Sequence, residues 1–334
     1  MERRDLLRML AAVPLARRDR GTGGPGDSAI RPAVPRSPGD PNLLVPMDDA
    51  QGNHLKAYGL AFHAIERGGR CEWLLNYRGG SFLLPDDAPA RRAAALGGVT
   101  LEPVSDSAVV SIRATVEQNN MDALPLERTP RVAIYSPPNA PPWDDAVTMA
   151  LQYAEIPFTK IWDHEVVGGR LRDFDWLHLH HEDFTGQYSK FYLTYQGAPW
   201  LADMVQRNQA AARQLGFATV PTLKKAVAQR IRDYVTNGGF LFAMCTATET
   251  LELALAAHDV DIAAAFADGT PMEAQASERL DWSRAFATTG ARLELSPGIP
   301  SFSDIDGHQV NNPGRRQPLG AFELFNFSAK IDPV

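Results

Sequence analysis

Cys245 is where the sequence offers chemistry most plainly. Phe240-Leu241-Phe242-Ala243-Met244 predicts a buried strand, which stops at Cys245, and Thr246-Ala247-Thr248-Glu249 opens a helix. A thiol on such a turn stands at the C-terminal edge of a sheet. There a helix N-terminus favours the thiolate, and backbone N–H groups such as that of Thr246 can hold a developing oxyanion. The alternative is a buried cysteine that closes an apolar strand. A second cluster is His178-Leu179-His180-His181-Glu182-Asp183. On a strand, His178 and His180 share one face and His181 takes the other. His180, His181, Glu182 and Asp183 fall where that strand gives way to a loop, as a general base, a charge partner for a histidine, or simply structural residues. No third, distant ligand accompanies them, so no metal is expected. Gly186, in Phe184-Thr185-Gly186, is a further candidate oxyanion donor. In Asn76-Tyr77-Arg78-Gly79-Gly80-Ser81, Arg78 offers a guanidinium fork and Gly79 and Gly80 offer N–H groups to an anion, the alternative being a plain turn. His54 and His63 lie nine residues apart on one expected helix, too far to share a metal.

These residues need elements to position them. Residues 42–47 read as a short buried strand, Asp48 or Asp49 as an N-cap, and Leu55, Tyr58, Leu60, Phe62 and Ile65 as a helix stopped by Gly68-Gly69. Residues 71–76 read as the next strand, so 42–76 predicts β-α-β, the opening of a parallel sheet. Farther on, 131–135, 158–162, 175–180 and 240–244 predict four strands. Helices are expected between them, one from Asp144 to Ala154 and one over 222–235, where Leu223, Val227, Ile231 and Val235 recur every four; another follows over 248–257. The whole reads as two doubly wound, flavodoxin-like α/β units of parallel sheets, about 42–125 and 130–334, with 1–41 outside the core. Residues 266–320 read as a long insertion and 321–327 as a strand.

Composition sets the outer limits. The 334 residues carry 33 Lys+Arg against 40 Asp+Glu, a net charge of −7, which disfavours nucleic acid and anionic membranes as partners. Two cysteines, Cys71 and Cys245, exclude a disulfide scaffold and a four-cysteine zinc site. No run of 18 apolar residues occurs, so no transmembrane span is expected. Arg3-Arg4-Asp5-Leu6-Leu7 and the short apolar stretch through Ala16 have the layout of a twin-arginine-like export signal over residues 1–20, which predicts a periplasmic or cell-envelope location. A frayed basic N-terminus on a cytoplasmic protein is the alternative. Residues 21–41 hold five Gly and five Pro and read as a linker.

Several long segments, LLVPMDDAQGNHLKAYGLAFHAIERG, WLLNYRGGSFLLPD, PPWDDAVTMALQYAEIPFTKIWD, DWLHLHHEDFTGQYSKFY and GGFLFAMCTATETLELALA, resemble in order a bacterial family labelled asparagine synthetase B, over about residues 42–334. More distantly, GGFLFAMCTATET is similar to the nucleophile elbow of class I glutamine amidotransferase-like domains. That resemblance implies a flavodoxin-like fold, a Cys-His-Glu triad with Cys245 at the nucleophile position, and a carboxamide substrate, with no cofactor. Ala243 and Ala247 stand where that elbow usually has glycines, and no His-x-Glu occurs in the last 80 residues. Members of the family run further, which leads one to expect a C-terminally incomplete chain. Asparagine synthetase B itself has an N-terminal cysteine exposed on removal of Met1 and a Ser-Gly-Gly-x-Asp-Ser loop; here residue 2 is Glu2 and no such loop exists, so ATP-dependent asparagine synthesis is not expected. ThuA-like proteins, which carry a histidine where Cys245 stands, are a second, more distant resemblance.

Two functions compete on these grounds. One is a thiol-dependent amidotransferase or amidase acting at Cys245, with His180 or His181 moving the proton. The other is a catalytically inactive module that holds a carbohydrate or another small polar ligand at the strand ends.

Overall fold

Two sheets of opposite character carry the chain. The structure is a computed structural model that describes residues 42–138, 140, 145–189, 192–295 and 302–305. The signal-like head, the linker, Asp144 and the strand expected at 321–327 lie outside the described residues. Two compact units divide what is described: residues 42–130 with 145–157, and the remainder from 131 to 305. Among the described residues no helix is long and apolar enough to cross a membrane.

In the first unit β1 (Asn42–Val45) leads into α1 (His54–Glu66), β2 (Cys71–Leu75), β3 (Ser81–Pro85), α2 (Ala88–Gly97), β4 (Glu102–Val104), α3 (Asp106–Gln118) and β5 (Asp122–Leu126). Its sheet has the order β4-β1-β3-β2-β5, and every pairing is antiparallel. The parallel sheet expected from 42–76 is therefore corrected. β1 and β2 do run the same way, but β3 lies between them, a split β-α-β arrangement. The cause is the turn after β2. Asn76, Arg78, Gly79 and Gly80 have φ of 64°, 46°, 78° and 91°, and this left-handed run turns β3 straight back along β2, with Ser81 opposite Leu74. At Gly79 a side chain has no room, since a Cβ would lie 2.4 Å from the Met47 carbonyl oxygen. Helices cover both faces. Leu43, Val45, Phe82 and Leu84 pack with α1 and α2, whereas Leu44, Leu74 and Leu83 pack with Val109, Ile112 and Val116 of α3.

Two local expectations in this unit also change. Asn53, not Asp48 or Asp49, caps α1, its side chain accepting the Lys56 N–H at 3.2 Å. Helix α4 (Ala146–Tyr153), capped by Asp145, belongs to this unit although it follows the first strand of the other. Gly59 of α1 lets the two helices meet, since a Cβ there would lie 1.9 Å from the Ala154 carbonyl oxygen.

The second unit is the parallel one. β6 (Val132–Tyr135), β7 (Phe158–Ile161), β8 (Trp176–Leu179) and β9 (Phe240–Ala243) form a sheet of order β7-β6-β8-β9 with every pairing parallel, within the strands expected from sequence. α5 (Asp163–Val167) follows β7, α6 (Pro199–Gln214) and α7 (Val220–Thr236) separate β8 from β9, and α8 (Thr246–Ala256) follows β9. One sheet face, with Ala133, Tyr135, Ile161, Leu177 and Leu179, closes a core with Leu223, Val227 and Ile231 of α7 and Ala247, Leu251 and Leu255 of α8. The fourfold spacing of the α7 leucine, valine and isoleucine is what aims that stripe at the sheet. Because all four strands run the same way, their C-terminal ends share one edge, and each delivers a polar side chain there. Asp163 follows β7, Tyr135 ends β6, His180 to Glu182 follow β8, and Cys245 follows β9.

Candidate functional site

Cys245 is exposed and sits between β9 and α8 as the helix N-cap, with φ 53° and ψ −141°. That backbone is one an L-residue rarely holds, and it costs on the order of 1–3 kcal/mol unless the surroundings enforce it. They do so through bonds on both sides. The Met244 N–H donates to the Leu179 carbonyl at 3.1 Å, and the Ala247 N–H to the His180 carbonyl at 3.2 Å. The hydroxyl and the N–H of Thr248 both bond the Cys245 carbonyl, at 2.7 and 3.2 Å. The sulfur has the Thr246 hydroxyl 3.7 Å away. Among the described residues the Thr246 N–H meets no acceptor, so it points from the helix start as a donor in waiting.

The bend after β8 is fastened to the same helix. The Thr250 hydroxyl, buried on α8, donates to the Glu182 carbonyl at 2.7 Å and also lies 3.0 Å from the Thr246 carbonyl. His180 and His181 meet through their Nδ1 atoms at 3.0 Å, so one ring donates and the other accepts. His180 is half-buried and His181 exposed. His178, inside the sheet, has its Nδ1 3.2 Å from the Phe242 carbonyl oxygen. Glu182 is buried and its Oε2 accepts the His180 N–H at 2.9 Å. Burial pushes its carboxyl up to about 7, against the opposing pull of that N–H and of His181. Asp183 has a different task. Its carboxylate accepts the N–H groups of Thr185, Gln187 and Ser189 and the Thr185 hydroxyl, and so shapes the loop that follows.

Farther along the edge stands a group that sequence reasoning missed. Lys224 on α7 donates to both Asp163 carboxylate oxygens, at 2.8 and 2.9 Å, and to the Tyr135 hydroxyl at 2.9 Å. The Tyr135 hydroxyl donates in turn to Asp163. All three side chains are buried, with the Lys224 ammonium 4.0 Å from the centre of the Trp162 ring. Burial, then the neighbouring Asp163 charge, holds the Tyr135 phenol well above its ordinary range. Asp163 and Tyr135 stand at the ends of expected strands without having been singled out as candidates. Lys224, beside Leu223 on the buried stripe, was the signal that they had a partner.

The remaining candidates are spent on structure. The Gly186 N–H is directed at the Asp183 carbonyl, 3.4 Å away, and a Cβ at that φ of 74° would lie 2.7 Å from Pro221 backbone atoms, so this glycine permits a close approach to α7. Arg78 belongs to the other unit. All three of its guanidinium nitrogens already donate to carboxylates, Nε and Nη2 to Asp48 and Nη1 to Glu102, and these bonds raise it above the ordinary arginine range. The Gly80 N–H is taken by the Tyr77 carbonyl, and Gly79 serves the turn. The fork read as an anion site thus closes on two acids of its own unit. Among the described residues no three of His, Cys, Asp and Glu assemble as a metal site. No protein-family profile, curated protein or solved structure matches the chain.

Proposed function

We propose that this protein is a class I glutamine amidotransferase-like enzyme of the family labelled asparagine synthetase B, and that it hydrolyses or transfers a carboxamide by a thiol route at Cys245. The observation that carries this reading is the exposed cysteine held at φ 53° on the strand-to-helix turn of a parallel sheet. In this chemistry Sγ attacks the amide carbon, and its proton passes to His180 or His181. The Thr246 N–H holds the oxyanion. Collapse of the tetrahedral species breaks the C–N bond, the histidine returns the proton to the departing ammonia, and water or an amine acceptor then cleaves the thioester. Buried Glu182, accepting the His180 backbone N–H, holds the bend that carries the histidine pair. The strand order, second-first-third-fourth within the unit, is that of the first four strands of a flavodoxin-like sheet and supports that fold assignment. Residues 1–20 we read as a twin-arginine-like signal; replacing Arg3 and Arg4 with Lys in a fusion of residues 1–41 to a reporter is expected to abolish its export, and a reporter that is cytoplasmic with the native head rejects this.

One observation favours a second reading, an inactive module that binds a carbohydrate or similar polar ligand. The elbow supplies one oxyanion donor, the Thr246 N–H, and a second usually comes from a separate loop, but the Gly186 N–H, the loop candidate here, is directed at the Asp183 carbonyl. Ammonia release from glutamine and from simple carboxamides separates the two. The enzyme reading expects release by the native protein and none by Cys245→Ala. Equal, background release by both, with stabilisation by sugars, supports the module.

A further inference from the structure

Helix α8 opens with Thr246-Ala247-Thr248-Glu249-Thr250, and most of its polar side chains there are committed to the framework. The Thr248 hydroxyl donates to the Cys245 carbonyl at 2.7 Å. Glu249 Oε1 accepts the Phe302 and Ser303 N–H groups at 2.8 and 2.6 Å and the Ser303 hydroxyl at 2.7 Å. The Thr250 hydroxyl donates to the Glu182 carbonyl at 2.7 Å and lies 3.0 Å from the Thr246 carbonyl. Thr246 differs. Among the described residues its half-buried hydroxyl meets only the Cys245 sulfur, 3.7 Å away.

Position explains the difference. A threonine inside a helix commonly turns its hydroxyl back onto the carbonyl one turn earlier, as Thr250 does onto Thr246. Thr246 is the first residue of α8, so no helical carbonyl stands one turn before it. Its hydroxyl is left beside the thiol.

The other donors near the elbow are occupied. The Ala247 N–H is held by the His180 carbonyl at 3.2 Å, and the Gly186 N–H is directed at the Asp183 carbonyl. In a tetrahedral adduct of the thiol, the sulfur and the oxyanion are neighbours on one carbon. A donor about 2.7–3.1 Å from that oxygen therefore stays within contact range of the sulfur. The Thr246 hydroxyl, at 3.7 Å from Sγ, fits such a place.

We propose that the Thr246 hydroxyl is a catalytic group, the second oxyanion donor, acting beside the N–H of the same residue. As Sγ bonds the carbonyl carbon, the π pair of the carbonyl moves onto its oxygen, where the hydroxyl and the N–H both donate to it. On collapse that pair re-forms the carbonyl and the bond to the leaving group breaks; the hydroxyl keeps its proton throughout. The proposal rests on the thiol reading above and not on the carboxamide, because any carbonyl that adds Sγ forms the same oxyanion.

The test sets two reactions of Cys245 side by side. Acylation by p-nitrophenyl acetate passes through an oxyanion and is read as the nitrophenolate burst that Cys245→Ala lacks. Alkylation by iodoacetamide displaces iodide at a saturated carbon and forms none. Thr246→Val keeps the branched shape and the N–H but deletes the hydroxyl. It should slow acylation at least tenfold and change alkylation less than twofold across pH 6–9, since one oxyanion donor is worth on the order of 10²–10³ in rate. Thr246→Ser, which restores a hydroxyl, should recover most of the acylation rate. Should Thr246→Val not fold, Thr246→Ala decides, because it deletes the same hydroxyl. A loss below tenfold, a loss of equal size in alkylation, or a native protein without a burst overturns the proposal. Acylation that depends on the hydroxyl in a protein that releases no ammonia from carboxamides would reject the carboxamide reading alone.

Discussion

A cysteine held at φ 53° and ψ −141° carries a backbone that glycine adopts freely and other residues resist. Were this only a turn, glycine would serve it better, so the side chain is what the position keeps. Cys245→Gly is expected to stabilise the protein relative to Cys245→Ala by about 1–2 kcal/mol in urea titration, since alanine retains the strained Cβ; equal midpoints would mean the turn is not strained. Glu182 gives a prediction in pH. Its carboxyl is raised by burial from the ordinary 4.5 to about 7, so the folded state holds a proton that the unfolded chain releases. The stability it contributes is complete below about 4.5 and is lost as pH rises through about 7. Glu182→Gln should flatten that decline, which urea titrations of both proteins between pH 5 and 8 would measure; parallel curves would place Glu182 in contact with water.

At the scale of elements, the parallel sheet was legible and the antiparallel one was not. β6 to β9 announce themselves as apolar runs punctuated by helices of regular period. β3 and β5 carry Pro85 and Pro125, and neither shows an alternating pattern that would mark it. The Gly79-Gly80 turn that reverses the chain looked equally like a ligand loop, because the residues that allow a left-handed backbone also expose N–H groups. Cys245 and the His180–Glu182 bend were readable from position at strand ends, whereas Glu249, Thr250 and Lys224 gain their meaning only from partners 54, 68 and 61 residues away. The connection between β8 and α7 offers a check on element packing. Gly186→Ala forces a Cβ to within 2.7 Å of Pro221 backbone at an unfavourable φ, and about 1–3 kcal/mol of stability should be lost. An unchanged urea midpoint would show that the loop can draw away from α7.

For the whole molecule, one unit buries its sheet under helices on both faces and the other collects its polar side chains along one edge. In that second unit the Lys224–Asp163–Tyr135 group anchors the row at the end farthest from Cys245 in strand order. Lys224→Met strands the Asp163 charge and should cost about 3–5 kcal/mol, with Lys224→Met/Asp163→Leu recovering most of it; a single variant as stable as the native protein would mean water reaches the pair. The central claim concerns the other end of the row. Its most direct test is mass spectrometry of the native protein exposed to an electrophilic glutamine analogue, with buried Cys71 as the internal control. The account predicts one adduct per chain, at Cys245, formed faster than in the unfolded chain and prevented by excess glutamine. An adduct that forms no faster in the folded protein than in the unfolded one, or that glutamine does not slow, would contradict it.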